Sequence, residues 1–160
     1  MEIKTGLTFQ MKNVLAFRGK VTQATLNEKR KEMENLIKEF NAKPVHPAVT
    51  TTYGIEQTAD GPVMDMEVLI PLDKDVSHEI LVKQLSEYRF KPQFLLTNAL
   101  QVHHEAKDGK LEDSIKELYK YVQVHNLKPL TNGYNIAFND PDDPNDMIVD
   151  IMVGIDPNIL

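Results

Sequence analysis

Two carboxylates stand at matching places in the sequence, each inside an otherwise apolar run. Glu67 lies in MEVLIPLD and Asp150 lies in VDIMVGID. A carboxylate in a partly buried apolar surround attracts cations strongly, because a weakly polar medium screens charge less than water does. The pair therefore predicts a site for a cationic ligand. The alternative is a solvated strand face on which Arg18 or a nearby lysine neutralises the acids.

Alternation along extended strands decides which side chains accompany each acid. Leu69 shares a face with Glu67, and Met152 shares a face with Asp150, while the opposite, wholly apolar face is expected to pack on helices. The first strand of each repeat and the short strand before Asp150 add further side chains to these mixed faces. The predicted ligand-binding residues are Glu67, Asp150, Arg18, His103, Leu69, Met152, Asn135 and Ala137.

The remaining reactive residue types do not form a recognisable catalytic or metal site. His103 and His104 are adjacent on a strand, so their side chains point to opposite faces and cannot hold one ion together. The acidic segment Asn139–Asn145 lacks the glycine and terminal glutamate of an EF-hand, and its two prolines favour a turn over a calcium site. The chain has no cysteine, no HExxH and no glycine-rich phosphate loop. We therefore predict no metal, no cofactor and no catalytic residue, and we assign Tyr53 and Phe138 to the core.

Composition limits the partners. The 160 residues carry a net charge of −6, which argues against nucleic acid as a direct partner, because phosphate binding requires a clustered basic excess. No segment approaches the roughly 20 apolar residues that span a bilayer, and the first residues lack the pattern of a signal peptide. A cytoplasmic protein without membrane contact is the expectation.

An internal repeat organises the chain. Aligning the sequence with itself at an offset of 85 residues pairs identical residues from each half, including the Asn-X-Lys-Pro that follows a long amphipathic run in both. The identical pairs are Phe9/Phe94, Asn13/Asn98, Leu15/Leu100, Leu26/Leu111, Lys31/Lys116, Glu32/Glu117, Asn41/Asn126, Lys43/Lys128 and Pro44/Pro129. The last strands align at an offset of 83, because the second turn is shorter. We interpret this pattern as a duplication.

Each repeat has the same order of signals: a strand, a helix and two more strands. Thr25 and Glu28 fit a capping box at the start of the first helix, and each asparagine of Asn-X-Lys-Pro suits the left-handed position that ends a helix. The predicted strands are Met11–Arg18, Val49–Ile55, Val63–Ile70, Leu96–His104, Tyr134–Asn139 and Met147–Ile155; the predicted helices are Leu26–Phe40 and Leu111–Val124, with core residues Met33, Ile37, Leu118 and Val122.

The predicted fold is α+β, a duplicated βαββ unit with an antiparallel sheet and pseudo-two-fold symmetry. It forms one domain over residues 1–160, with the first repeat at about 7–73, a linker at 74–91 that allows a short helix after Ser77, and the second repeat at about 92–156.

This doubled order resembles the GyrI-like family of small-molecule-binding domains, which is related to the SOUL haem-binding proteins. The similarity rests on FRGKV at Phe17–Val21, on NLKPL at Asn126–Leu130 and on the closing strands MEVLIPLD and VDIMVGID. Two-fold doubling would bring the two mixed faces together around a central cleft. The resemblance implies that an acidic residue on the closing strand receives a cationic drug there, and Glu67 and Asp150 stand at the matching positions.

The function predicted from these observations is that of a stand-alone ligand-binding module for a small cationic or aromatic molecule. The alternative is a protein–protein interaction or accessory protein, similar to a gyrase inhibitor or to a partner encoded at a toxin locus. A hydrolase is disfavoured, because the relatives that hydrolyse strained rings use a tryptophan, and this chain has none.

Overall fold

The computed structural model describes residues 2–138 and 146–158, so the acidic segment Asn139–Asn145 lies outside the described residues. Within the described ranges, three helices of more than one turn accompany six strands. The strands are β1 Ile3–Val21, β2 Val49–Thr58, β3 Gly61–Pro71, β4 Tyr88–Glu105, β5 Tyr134–Ala137 and β6 Ile148–Gly154; the helices are α1 Gln23–Glu39, α2 Ser77–Val82 and α3 Leu111–Val124, with a 3₁₀ turn at Ala106–Asp108.

The chain forms two compact units, which we call the Glu67 unit and the Asp150 unit. The Glu67 unit comprises Met11–Phe94, and the Asp150 unit comprises the residues up to Gln10 together with those from Leu95 onward. The predicted α+β fold class is confirmed. In the Glu67 unit β3 pairs antiparallel with β1 and with β2, and in the Asp150 unit β6 pairs antiparallel with β4 and with β5. In each unit a strand, a helix and two further strands follow one another, β1-α1-β2-β3 and β4-α3-β5-β6, and the last strand of each series lies between the other two. The Glu67 unit also contains α2 and the first residues of β4, and the Asp150 unit also contains the first residues of β1.

Helix α1 covers the apolar face of the sheet in the Glu67 unit. Met33 and Ile37 expose 0% and 2% of their surface and pack in one cluster with Met66, Val68 and other apolar residues of β3. The helix begins one turn earlier than predicted, since Thr22 is the N-cap and accepts a hydrogen bond from the backbone N–H of Thr25 at 3.2 Å. The predicted capping box at Thr25 and Glu28 is therefore wrong, because Thr25 itself occupies the third helical position and its hydroxyl accepts from the Thr22 N–H at 2.7 Å.

Helix α3 has the predicted bounds, Leu111–Val124, and covers the apolar face of β6 in the Asp150 unit. Leu118 and Val122 expose 0% and 5% of their surface, which confirms both as core residues. Asn41 and Asn126 have φ angles of 56° and 52° just after their helices, so both take the left-handed conformation expected of a helix-ending asparagine.

Both first strands of the repeats are longer than predicted. β1 starts at Ile3 rather than Met11, and β4 starts at Tyr88 rather than Leu96. The segment between the repeats does contain the short helix α2 after Asp75, whose carboxylate accepts a hydrogen bond from the Ser77 N–H at 2.8 Å. Every helix that the structure describes is too short or too polar to span a bilayer.

Candidate functional site

The Glu67 carboxylate is nearly buried and already has two partners. Its side chain exposes 8% of its surface, and its Oε2 lies 2.9 Å from the Nζ of Lys91. Its Oε1 accepts a hydrogen bond from the hydroxyl of Tyr53 at 3.0 Å. Lys91 exposes 35% of its side chain, so the acid lies inside the protein and the base reaches water.

Tyr53 reaches Glu67 because of an irregularity in β2. Thr52 lies opposite Met66 and Gly54 lies opposite Asp65, so Tyr53 is an extra residue between them, as in a β-bulge. Bulges of this kind redirect a side chain next to many functional sites. Burial, and then the neighbouring Glu67 carboxylate, raises the pKa of Tyr53 above its ordinary value, so its hydroxyl stays protonated and donates to the acid.

Arg18 lies opposite Glu67 in the pairing of β1 with β3, but its guanidinium does not bind Glu67. It forms an ion pair with Asp65 at 3.3 Å, and this hydrogen-bonded contact raises the pKa of Arg18. The same guanidinium lies over the ring of Tyr53, 3.8 Å from the ring centroid. The site thus combines a carboxylate with an aromatic ring, and Lys91 and Arg18 provide a cation for each.

Asp150 has a different kind of counter-ion. His103 lies opposite Asp150 in the pairing of β4 with β6, and its Nδ1 lies 2.6 Å from a carboxylate oxygen of Asp150. Its Nε2 lies 3.2 Å from Glu105. The hydrogen bond to Asp150 is the main cause that raises the pKa of His103, and the bond to Glu105 is the next. His103 also lines an open, polar pocket of about 390 Å³ in the Asp150 unit.

Under the predicted repeat alignment, the two carboxylates have different residues at the positions of their partners. Gly6 stands at the position that corresponds to Lys91, and Phe138 at the position that corresponds to Tyr53. The Asp150 unit therefore lacks both the ammonium and the hydroxyl at these positions. The counter-ion of Asp150 is the titratable imidazole of His103, whereas the counter-ion of Glu67 is the ammonium of Lys91.

The predicted apolar walls do not face an open site. Leu69 and Met152 expose 0% and 2% of their surface, so neither side chain is open to a ligand in this structure. The faces assigned to Asn135 and Ala137 are wrong. Asn135 lies opposite Ile151 and Ala137 lies opposite Val149, so both belong to the side of the sheet that carries the helix core.

Sequence reasoning missed the two residues that hold Glu67. The prediction that Tyr53 and Phe138 are core residues is wrong, because they expose 40% and 46% of their surface. Lys91 fell in the predicted linker, because β4 begins eight residues before its predicted start at Leu96. Lysine next to a proline in a polar segment carries no local signal of a strand. The prediction that a nearby lysine neutralises an acid was the only pointer to it.

Among the residues that the structure describes, no group of three or more histidine, aspartate or glutamate side chains is placed to hold a metal ion. His103 and His104 lie on opposite faces, since the first binds Asp150 and the second binds Ser114 on α3 at 2.6 Å.

No family model matches the chain, and no curated protein is significantly similar to it in sequence. Solved structures are similar in fold. A hydrolase from Listeria innocua has a TM-score of 0.61 at 12% identity, over 96% of this chain and 91% of that one. The C-terminal domain of EcmrR has a TM-score of 0.61 at 9% identity, over 98% of this chain and 99% of that one.

EcmrR in its complex with DNA has a TM-score of 0.69 at 13% identity, over 96% of this chain. The chain spans only 57% of that EcmrR chain. Identities this low carry information on the fold and not on activity. The described chain therefore shares its fold with the C-terminal domain of EcmrR.

Proposed function

We propose that the chain is a GyrI-like ligand-binding module that binds a small aromatic cation at Glu67. Its fold, shared with the EcmrR C-terminal domain, supports the family assignment. One observation carries the site: a nearly buried carboxylate is bound to a tyrosine, and the ring of that tyrosine holds a cation on its face. A carboxylate and an aromatic face together are the chemistry that recognises an organic cation.

The protein's own cations occupy this site and can be displaced. Lys91 exposes 35% of its side chain and Arg18 exposes 50%, so both can move into water while remaining hydrated. The exposed Arg18–Asp65 pair is worth at most about 1 kcal/mol, so releasing Arg18 costs little. Glu67 is nearly buried, so Lys91 can leave it at low cost only where the charge of the ligand replaces the ammonium at the carboxylate. An aromatic cation would take the place of Arg18 on Tyr53 and bring its charge to Glu67 in place of Lys91.

Asp150 has a lesser part in this proposal. Its side chain exposes 14% of its surface, and His103 covers it as a protonated counter-ion at pH values below the raised pKa of that histidine. Ile136 lies opposite Asp150 on β5 and has no hydroxyl. The described pairing of β5 with β6 has no bulge like the one that brings Tyr53 to Glu67. A cation bound here would have to displace His103.

The experiment is a fluorescence-anisotropy titration of the whole chain with rhodamine 6G, an aromatic cation. Glu67→Gln keeps the shape of the side chain and removes its charge, so binding is expected to weaken by about 1–3 kcal/mol, which is about 5- to 150-fold. Lys91→Met removes the competing ammonium, and binding is expected to tighten. The matched control is Glu56→Gln, which removes an exposed carboxylate from β2 of the same unit.

Three results would contradict the proposal. The first is no saturable dye binding by the wild type. The second is unchanged binding by a Glu67→Gln variant whose melting temperature matches the wild type. The third is an equal loss of affinity in Glu56→Gln, since that would reduce the effect to the overall charge of the protein.

A protein-interaction module is the second candidate, and an exposed apolar pair favours it. Leu81 and Val82 stand side by side at the end of α2 with 76% and 64% of their surface exposed. Exposed apolar clusters mark contact surfaces when they are contiguous. Under this alternative, Leu81→Ser with Val82→Ser abolishes capture of a partner, whereas Glu67→Gln leaves capture intact.

A further inference from the structure

The Asp150 unit contains a second concavity that the Glu67 proposal does not use. It has a volume of about 390 Å³ and lies where the end of β4 meets the start of α3. Its apolar walls come from Ala106, Leu111, Ile115 and Met147. This volume falls in the range of small-molecule sites, and such sites are mainly apolar with a few converging polar groups. We call it the His104 pocket.

His104 is the polar group of this pocket. Its side chain is buried, with 1% of its surface exposed, yet it lines the concavity. Its Nδ1 lies 2.6 Å from the hydroxyl of Ser114, which fixes the ring against α3. Among the described residues this is the one hydrogen bond that the structure gives to the His104 side chain, so Nε2 is left for a ligand. A ligand group that pairs with Nε2 would add a hydrogen bond inside a mainly apolar pocket and would gain affinity from it.

The chemistry of Nε2 selects the group that can bind it. If Nδ1 carries the proton and donates to Ser114, then Nε2 is an acceptor; if the Ser114 hydroxyl donates to Nδ1, then Nε2–H is a donor. A hydroxyl group serves both cases, because it donates and accepts. A carboxylate or an ether pairs only with the second form, and an ammonium only with the first.

The charges around the pocket favour a neutral ligand. Lys110 and Glu112 both line it and carry opposite charges. Lys110 is the N-cap of α3 and gives the helix no side-chain cap, so the amides of the first turn present a partial positive charge that disfavours cations. Glu112 and Asp113 in that turn disfavour anions. Neither sign of charge has a clear advantage.

From these four observations we propose that the His104 pocket binds a small neutral aromatic alcohol of the phenol class. The hydroxyl pairs with His104 Nε2, and the ring packs against Leu111, Ile115 and Met147. The site is independent of Glu67, which belongs to the other unit. Its ligand differs in charge from the cation proposed there.

The test is a titration of the ¹⁵N-labelled whole chain with p-cresol, followed by amide chemical shifts. Saturable shifts are expected at Leu111, Glu112 and Met147. p-Xylene has nearly the same shape and no hydroxyl, so it is expected to bind at least ten-fold more weakly. Benzoate has the ring and a charge, and it is also expected to bind at least ten-fold more weakly. Because these comparisons use the wild-type protein, they do not depend on the folding of a variant.

Two variants locate the site. Ile115→Trp fills the pocket and is expected to abolish the p-cresol shifts, whereas Ile55→Trp adds the same side chain at a position that is 64% exposed in the Glu67 unit and should leave them unchanged. The proposal is overturned if p-cresol gives no saturable shifts, if p-xylene or benzoate binds as tightly, or if a folded Ile115→Trp protein still binds. Glu67→Gln should retain p-cresol binding, which separates this result from the dye titration.

Discussion

Lys91→Met is expected to destabilise the fold more than Glu67→Gln, although both changes break the same ion pair. Methionine leaves the Glu67 carboxylate, whose residue exposes 6% of its surface, with the Tyr53 hydroxyl as its remaining hydrogen-bond donor among the contacts described above. A buried charged acceptor that loses a partner costs about 1–3 kcal/mol.

Glu67→Gln leaves a different residue without its partner. Lys91 exposes 35% of its side chain and can return its ammonium to water. The new amide oxygen still accepts from Tyr53, so the loss is expected to stay below about 1 kcal/mol, as for exposed ion pairs. The asymmetry follows from the burial of one partner and the exposure of the other.

Urea unfolding of the wild type, the two single variants and the double variant measures both costs and their coupling. In the Glu67→Gln background, Lys91→Met should cost less than it does alone, by about 1–2 kcal/mol, because no buried charge is left behind. Equal costs for the two single variants, or a larger cost for Glu67→Gln, would refute the account of Glu67 as a buried acid held by an exposed base.

Two further predictions concern the Asp150 unit. Leu118→Ala removes a side chain with 0% exposure and should lower the free energy of unfolding by about 2–5 kcal/mol, with a loss under about 0.5 kcal/mol showing that the α3 core was misread. Asp150, and then Glu105, raise the pKa of His103, so protonated His103 stabilises the fold below its unfolded-state pKa, and this contribution is lost as the pH rises through its folded-state pKa. The free energy of unfolding of the wild type should therefore exceed that of His103→Gln by more at about pH 5 than at about pH 9. This difference between the two pH values should stay below about 1 kcal/mol, because the His103 side chain is 47% exposed. A stability gap that grows as the pH rises would contradict this account.

Periodicity predicted the helices and the apolar sheet face well, since both depend on local spacing. The stripe of α3 placed its bounds and its core residue Leu118 correctly, because apolar residues three and four positions apart must share a helical face. The start of α1 was harder. Thr22 and Thr25 both fit the pattern of an N-cap, and only the hydrogen bond of Thr22 to the third helical N–H distinguishes them.

The candidate site was less predictable, because it depends on contacts between distant segments. Alternation says that Asn135 and Ala137 share a face, but their register against β6 decides which face that is. Lys91 reaches Glu67 across 24 residues of sequence. Tyr53 reaches Glu67 through a β-bulge, which interrupts the regular alternation of side chains along a strand. The internal duplication stays a hypothesis, supported by equivalent pairs such as Arg18 opposite Glu67 and His103 opposite Asp150.

The chain segments that form the two units have a consequence for the order in which the chain folds. The Glu67 unit is one continuous segment, Met11–Phe94, whereas the Asp150 unit joins residues up to Gln10 to residues from Leu95 onward. During synthesis, the Glu67 unit has all of its residues once Phe94 has left the ribosome. In the Asp150 unit, the residues up to Gln10 remain without their partners until the strands beyond Leu95 have been synthesised. The Asp150 unit therefore has the longer loop to close. We expect nascent chains to form the Glu67 unit first and to leave the apolar side chain of Ile3 exposed until the Asp150 unit is complete.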